Sequence, residues 1–159
     1  METPVTGFLD QAGVGYVVKP HGREVFTCEE AARERGVRLS QIVKTMVGED
    51  TGGGLHVMMV PGHRTLKLKR VRQAAGGVRI DLIPPGELSQ RLGLTVGAIS
   101  PVQLVGRAAF YMDESIFDEE YVDISSGDPH AGVELRAGDL RALLGALRCR
   151  IASTGSQGG

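Results

Sequence analysis

The sequence lacks the marks of several large protein classes. It has only two cysteines in 159 residues, Cys28 and Cys149, and no CxxC pair, so neither a disulfide framework nor a zinc site is indicated. No segment approaches the roughly 20 apolar residues of a membrane span, and METPVTGFLDQAG has neither the basic start nor the apolar stretch of a signal peptide. We therefore expect reduced thiols and a soluble, cytoplasmic protein.

The familiar catalytic motifs are also missing. No GxSxG, HExxH, P-loop or GxGxxG motif occurs, and His21, His56, His63 and His130 lack the spacing of metal ligands. The acidic residues between 113 and 120 fall at a predicted strand end and turn, where charges are usually solvated. The sequence thus predicts no metal and no cofactor. A net charge of −1 argues against a generally basic nucleic-acid-binding protein and still allows a local basic patch.

What is present is an alternation of short helices and strands in a chain the size of one domain. With 42% hydrophobic residues, the chain is long enough to bury a core. Strands and helices mix without a regular βαβ repeat, which favours an α+β domain with a mixed, largely antiparallel sheet surrounded by short helices. We predict a single domain over residues 1–152 and a flexible tail over residues 153–159.

Local signals position several of these elements. Thr27 and Glu30 form a capping box, which predicts a helix from there to about Gly36. QIVKTMV and LHVMMV flank the Gly-rich segment GEDTGGG and predict an antiparallel hairpin. Thr65 is expected to cap the following helix, and Asp139 is expected to cap the last one.

Lys44, in the first strand of the hairpin, is a candidate site residue. Period-2 alternation places it on the face of Ile42 and Met46, so that face is either solvated or holds an ammonium group in a cleft. The chain contains 14 arginines and four lysines, which suggests that the compact ammonium group has a purpose here. The structural alternative is a lysine that reaches water or protects a sheet edge.

The segment GAISP, residues 97–101, is a second candidate. Small residues and a proline within an apolar run predict a loop whose backbone comes close to a ligand, and Gly97 permits unusual dihedral angles. A lysine together with a nest of backbone amides is suited to binding a carbonyl and a phosphate. An ordinary turn is the alternative.

In this order, QIVKTMV, GAISP, YMDES and SSG resemble the YbaK/ProX family of prolyl-tRNA editing proteins, the free-standing aminoacyl-tRNA deacylases. FTCEEAARERG is similar to the helix before the family's lysine, and RTLKLKRVRQAAGG is similar to its basic helix. The resemblance runs from about residue 15 to residue 147. It implies a YbaK-like α+β editing domain with a partly barrel-like sheet, and hydrolysis, without a metal, of the ester that joins a wrong amino acid to a tRNA.

The resemblance also implies roles for individual residues. Lys44 would contact the terminal phosphate or the ester, and the loop of Gly97, Ala98 and Ser100 would hold the carbonyl. Because an aminoacyl ester is already activated, orientation and electrostatic stabilisation can accelerate its hydrolysis without a catalytic triad. The substrate-binding residues expected are Phe26, Thr27, Thr45, Met46, Ile99, Pro101 and Gly127.

A basic segment supplies the predicted contact with tRNA. On a helix its side chains would cover the face opposite Leu68 and Val71 and meet acceptor-stem phosphates, although a solvated helix face is the alternative. The partners implied are a mischarged tRNA and an aminoacyl-tRNA synthetase, without a membrane, and the chain is expected to be a monomer or a homodimer. The basic residues are Arg64, Lys67, Lys69, Arg70 and Arg72.

Two departures from the family pattern leave the substrate open. Val102 and Gln103 follow the loop where many members have an aromatic residue and a glycine, and Gly132 stands where the cysteine-specific branch commonly carries an aspartate. The accepted amino acid is therefore not predicted. The alternative function is a non-catalytic module of the same fold that binds tRNA or a synthetase.

Overall fold

A computed structural model of the protein describes residues 1–154. Within these residues the chain forms five α-helices and eight strands. The helices are α1 (Thr6–Ala12), α2 (Cys28–Arg35), α3 (Leu68–Ala74), α4 (Pro85–Leu92) and α5 (Ala137–Leu144). The strands are β1 (Tyr16–Pro20), β2 (Val43–Asp50), β3 (Leu55–Pro61), β4 (Ile80–Leu82), β5 (Ala108–Asp113), β6 (Tyr121–Ser125), β7 (Ala131–Arg136) and β8 (Leu147–Cys149). Short 3-10 helices cover Leu39–Gln41, Pro101–Leu104 and Glu114–Asp118.

The strands of residues 1–154 divide between a smaller and a larger sheet. The smaller sheet has the order β1-β7-β6 and is antiparallel throughout. The larger sheet has the order β4-β2-β3-β5-β8, in which β2 is antiparallel to both neighbours and β5 is parallel to β3 and β8. The α+β, largely antiparallel prediction is confirmed. Neither sheet closes into a barrel within the described residues.

The main core lies between the two sheets. Alternate residues of β2, such as Val43 and Val47, pack there against Ile124 and Val133 of the smaller sheet. The opposite face of the larger sheet is covered by α3, whose Val71 is fully buried in a second cluster. Burying each such side chain stabilises the fold by about 1.5–3 kcal/mol. Successive side chains of β2 therefore pack into two different cores, one on each face of the larger sheet.

The local signals around α2 and the hairpin are confirmed. The N–H of Glu30 donates to the Thr27 hydroxyl at 3.1 Å, and the Glu30 carboxylate accepts in return from the N–H of Thr27. Strands β2 and β3 pair antiparallel over residues 43–61, with Lys44 opposite Val60.

Two predicted helix caps are wrong. Helix α3 begins at Leu68, because the backbone of Thr65 is paired instead with Ser153 through bonds of 3.1 and 2.8 Å. Helix α5 begins at Ala137, so Asp139 lies inside its first turn. The short strand β8 was not predicted.

Of the tail predicted for residues 153–159, only Ser153 and Thr154 belong to the described residues. Ser153 is buried and hydrogen-bonded, and so is part of the fold. Within residues 1–154 no helix combines the length and the apolar character needed to cross a bilayer.

Candidate functional site

A cavity of about 230 Å³ opens beside the first residues of β2. Lys44 and Thr45 form one side of its wall, and Gly97 and Ile99 of the loop after α4 form another. The start of α2 contributes Thr27 and the residue before it. The cavity therefore brings together six of the predicted site residues, which are Phe26, Thr27, Lys44, Thr45, Gly97 and Ile99.

Within residues 1–154, no strand covers the edge of β2 that borders the cavity. The carbonyl of Val47 accepts a hydrogen bond from the N–H of Ile83 at 2.9 Å, on the side away from β3. Alternate residues of an antiparallel strand turn their polar backbone groups to the same edge, so the N–H and C=O of Thr45 face that side too. Strand β4 pairs only with residues 48–50, and the bridge to β6 lies at Ile42. The backbone of Thr45 is thus available to a ligand.

The loop opposite this edge is a tight turn. The N–H of Ala98 donates to the carbonyl of Thr95 at 3.0 Å, and Gly97 has φ of +82°. A positive φ at the third position is typical of a type II turn and favours glycine. A Cβ on residue 97 would also lie 2.5 Å from Cδ1 of Phe26. Glycine at position 97 therefore allows the positive φ of the turn and also leaves room for the aromatic ring of Phe26.

Lys44 brings an ammonium group to the cavity wall. Among residues 1–154 no carboxylate lies within salt-bridge distance of it, and it is half-buried in the cavity wall. Burial raises the pKa of the nearby Cys28 thiol, although Lys44 opposes that shift. Burial, Arg64 and Lys44 lower the pKa of His63. Cys28 is therefore a neutral thiol at pH 7 and a poor nucleophile.

The inner wall of the cavity holds a second cation. Arg35 of α2 lines the cavity, and burial lowers its pKa while Asp123 of β6 opposes that shift. Asp123 is fully buried, and neither of its carboxylate oxygens has a hydrogen-bond partner within residues 1–154. Burial, assisted by Glu134, raises the pKa of Asp123 to about 7 in spite of Lys19 and Arg35. In the part of the chain that the structure describes, no three His, Cys, Asp or Glu side chains form a metal-binding cluster.

The sequence profile of the aminoacyl-tRNA editing domain matches residues 22–143. This chain belongs to that family. The match confirms the resemblance carried by QIVKTMV and GAISP, both of which lie inside the matched range.

Two relatives of this chain carry names of tRNA deacylases. EbsC of Enterococcus faecalis, a candidate Cys-tRNA(Pro)/Cys-tRNA(Cys) deacylase, is 25% identical over 69% of this chain, and the match covers just under two thirds (66%) of EbsC. ProXp-y of Escherichia coli, a multifunctional Ser/Thr-tRNA deacylase, is 27% identical over 82% of this chain and 80% of its own length. A solved structure of a candidate trans-editing enzyme for prolyl-tRNA synthetase has a TM-score of 0.82 and 26% identity, covering 96% of this chain and 99% of that chain.

Several predicted site residues of the editing domain lie outside the cavity wall. The N–H of Ala98 is used in the turn, and Ser100 is fully buried as the cap of the next 3-10 helix, where its N–H donates to Gln103 at 2.9 Å. Pro101 is buried in the first turn of that helix, and Met46 packs into the second cluster under α3. Gly127 leaves room for Pro4, since a Cβ there would lie 2.7 Å from the proline ring.

The five residues of the basic segment do not form one free face. Arg64 donates to the carbonyl of Ser153 at 3.2 Å, and Arg70 donates to that of Ala152 at 2.9 Å. Arg72 donates to the carbonyl of Ile80 and contacts Asp81. Lys67 and Lys69 are exposed and make no side-chain hydrogen bond within residues 1–154. These two lysines are the part of the segment left for an external phosphate.

Sequence reasoning missed Arg35 and Ser125, which both line the cavity. A signal for each exists. Arg35 follows Cys28 and Ala31 at helical spacing, so all three share the inner face of α2. Ser125 alternates with the buried Ile124, so it lies on the face of the smaller sheet that is turned away from the main core. The other unpredicted lining residues are Val25, Cys28, Ala31, Ile42, Val43 and Pro85.

Proposed function

We propose that this chain hydrolyses the ester bond between an amino acid and the 3′ end of a mischarged tRNA. The observation that carries the proposal is the Lys44 ammonium, which has no ion-pair partner within residues 1–154, in a cavity that it shares with the Gly97 turn and the uncovered edge of β2. Membership of the aminoacyl-tRNA editing domain family supports this use of the cavity.

In the proposed reaction a water oxygen attacks the ester carbonyl carbon. The carbonyl oxygen gains negative charge, the bond to the ribose 3′-oxygen breaks, and a proton from the water ends on that oxygen. Lys44 offers a positive charge, and the turn offers the N–H of Gly97, whereas the N–H of Ala98 is already used within the turn. Donors fixed before the reaction stabilise such a developing charge without reorganisation. In this proposal the Lys44 ammonium and the Gly97 N–H together make a catalytic triad unnecessary.

The rest of the cavity suits an aminoacyl group. The backbone carbonyl of Thr45 can accept from the α-ammonium group of the amino acid, and its N–H can donate to the substrate. A volume of about 230 Å³ is below the 300–1,000 Å³ typical of pockets for drug-sized ligands. We therefore place a small amino acid inside the cavity, with the ribose and the rest of the tRNA at its mouth.

The test is single-turnover deacylation of tRNAs charged with Cys, Ala, Ser or Thr, using saturating protein. The parent should hydrolyse at least one ester, and Lys44→Met should slow that reaction by about 100- to 1,000-fold, the usual loss for one stabilising donor. Arg107→Met is the matched control, since Arg107 is an exposed cation outside the cavity.

Two results would contradict the proposal. One is an unchanged rate in Lys44→Met. The other is a parent protein that binds tRNA and leaves every ester intact, which would identify the chain as the non-catalytic binding module instead.

A further inference from the structure

The Arg35 guanidinium lies directly against the backbone of Gly132. A Cβ built on Gly132 would be 2.2 Å from Nε and 2.4 Å from Cζ of Arg35, so only glycine leaves room for the group. Arg35 makes no hydrogen bond or ion pair with another residue of 1–154, and its Nε is buried. A guanidinium has five N–H donors, and at the inner wall of the cavity those of Arg35 have no acceptor in the part of the chain that the structure describes.

A buried carboxylate lies on the same side of the smaller sheet. In the register of β6 and β7, Gly132 lies opposite Ser125 and Asp123 lies opposite Glu134. All four side-chain positions therefore share the face of the smaller sheet that is turned away from the main core. On this face Lys19 is already ion-paired with Glu134. Asp123 attracts the guanidinium without lying within salt-bridge distance of it. The arrangement holds a positive charge at the cavity wall while leaving its hydrogen-bonding capacity unused.

We infer that Arg35, seated on Gly132, selects the amino acid by donating hydrogen bonds to an oxygen of its side chain. The inference rests on the proposed function, because it takes the aminoacyl ester to be the ligand of the cavity. The substrate class is thus a short side chain that carries a hydroxyl or carboxylate oxygen, in preference to one that ends in a methyl group.

The physical reason is the cost of unpaired donors. A side chain that ends in a methyl group would displace water from the guanidinium and return no acceptor, and leaving a buried donor unpaired is expensive. Sites built to hydrogen-bond a substrate group reject analogues that lack it far more strongly than apolar pockets reject a missing methylene. Gly132 is a positioning residue in this scheme, since any larger residue would displace the guanidinium.

The test compares deacylation of seryl-, aspartyl- and alanyl-tRNA by kcat/KM. Seryl and alanyl groups differ by one hydroxyl, and the aspartyl arm distinguishes a carboxylate from a hydroxyl acceptor. We expect the parent to prefer an oxygen-bearing substrate over alanyl-tRNA by about 100-fold or more. Arg35→Met should reduce that ratio to less than about tenfold.

Gly132→Ala tests the same contact from the other side. The added Cβ should push the flexible end of Arg35 away and lower the ratio as Arg35→Met does. The matched controls are Arg33→Met, an exposed arginine of the same helix, and Gly138→Ala, where a Cβ would meet nothing within 4 Å. Both controls should keep the parent ratio. A ratio unchanged in Arg35→Met would overturn the inference while leaving the proposed hydrolysis in place.

A binding experiment separates the two proposals if the parent hydrolyses nothing. Adenosine analogues that carry seryl, aspartyl or alanyl groups through a stable 3′-amide are titrated into the parent and Arg35→Met, and binding is followed by calorimetry. Tighter binding of an oxygen-bearing analogue that disappears in Arg35→Met would support the inference although hydrolysis had failed. Equal affinities for all three analogues, or a preference that survives in Arg35→Met, would overturn it.

Discussion

Gly97 combines φ of +82° with an aromatic ring packed against its Cα. The positive φ is needed for the turn. The packing against the ring shapes the mouth of the cavity, where Phe26 is 60% exposed. The two can be separated experimentally, because Gly106 has a similar φ of +80° and nothing within 4 Å of its missing Cβ.

We predict that Gly97→Ala and Gly106→Ala lower the free energy of unfolding by similar amounts, about 1–2 kcal/mol each, since both place a Cβ in the left-handed region. Only Gly97→Ala should also slow deacylation, by about 10- to 100-fold, because it displaces Phe26 and the turn that faces Lys44. Urea unfolding and single-turnover hydrolysis measure the two effects. Equal hydrolysis rates in both variants would show that the turn does not position the substrate.

The sequence predicted Lys44 and Gly97 as candidate site residues because each is unusual within its own segment, and both line the cavity. It could not tell the neighbours of Gly97 apart. Ala98 and Ser100 belong to the same motif, yet the turn and the 3-10 helix use their N–H groups internally. The direction of one amide depends on the dihedral angles of its neighbours, and a motif of residue types does not specify those angles.

The basic segment divides its charges between folding and the surface. Arg64 and Arg70 hold the backbone of residues 152–153 beside the start of α3, where Leu66 also bridges to Ala152. Lys67 and Lys69 lie in the same segment and point to solvent. The two kinds of residue should therefore respond differently to neutralisation.

We predict that Lys67→Gln combined with Lys69→Gln weakens tRNA binding and lowers the slope of log K against log salt by roughly one for each phosphate that a lysine no longer neutralises. Unfolding stability should stay within about 0.5 kcal/mol of the parent, as for most surface substitutions. Arg70→Gln should instead lose about 1 kcal/mol or more of stability, because the carbonyl of Ala152 loses its donor. Filter binding across a salt series and urea unfolding check both statements. An unchanged salt slope in the double variant would place the tRNA elsewhere.

The wrong cap at Thr65 shows why element boundaries were harder to predict than the elements themselves. A threonine before an apolar helical pattern is a good local cap, but its backbone pairs with Ser153, which is 88 residues away along the chain. The capping box of α2 was predicted correctly because both of its partners lie within one helical turn. Strand β8 was missed because its pairing with β5 likewise depends on distant residues.

At the scale of the whole molecule, the two sheets meet where Ile42, just before β2, bridges to Asp123 in β6. The alternation of short helices and strands was enough to predict an α+β fold. It could not predict the division into two sheets, because that division depends on long-range pairings such as the parallel one between β3 and β5. Nor could it predict that a carboxyl group would be fully buried where the sheets join.

That carboxyl group should make the stability of the molecule depend on pH. The pKa of Asp123 is raised from 3.8 to about 7, chiefly by burial, so between these values the folded state keeps a proton that the unfolded chain releases. The free energy of unfolding should therefore fall as pH rises through this window, by about 1.4 kcal/mol per pH unit for this group, and then level off above pH 7.

Asp123→Asn removes the titrating group while keeping its shape. Urea unfolding of the parent and the variant between about pH 5 and pH 8 should show the parent losing stability relative to the variant up to about pH 7 and not beyond. Parallel stability curves for the two proteins would mean that Asp123 is ionised in the folded state at pH 5.

The uncovered stretch of β2 has a consequence for how the protein behaves in a crowded solution. Unpaired strand edges invite other chains to add to a sheet. Here the bridge at Ile42 and the bond from Ile83 to Val47 border a gap of the four residues 43–46, which is about 13 Å long at roughly 3.3 Å per residue. The commonest strands are about 17–20 Å long. The gap is long enough for an aminoacyl group and shorter than most strands, so it exposes backbone to the substrate while offering another chain only a short edge to pair with.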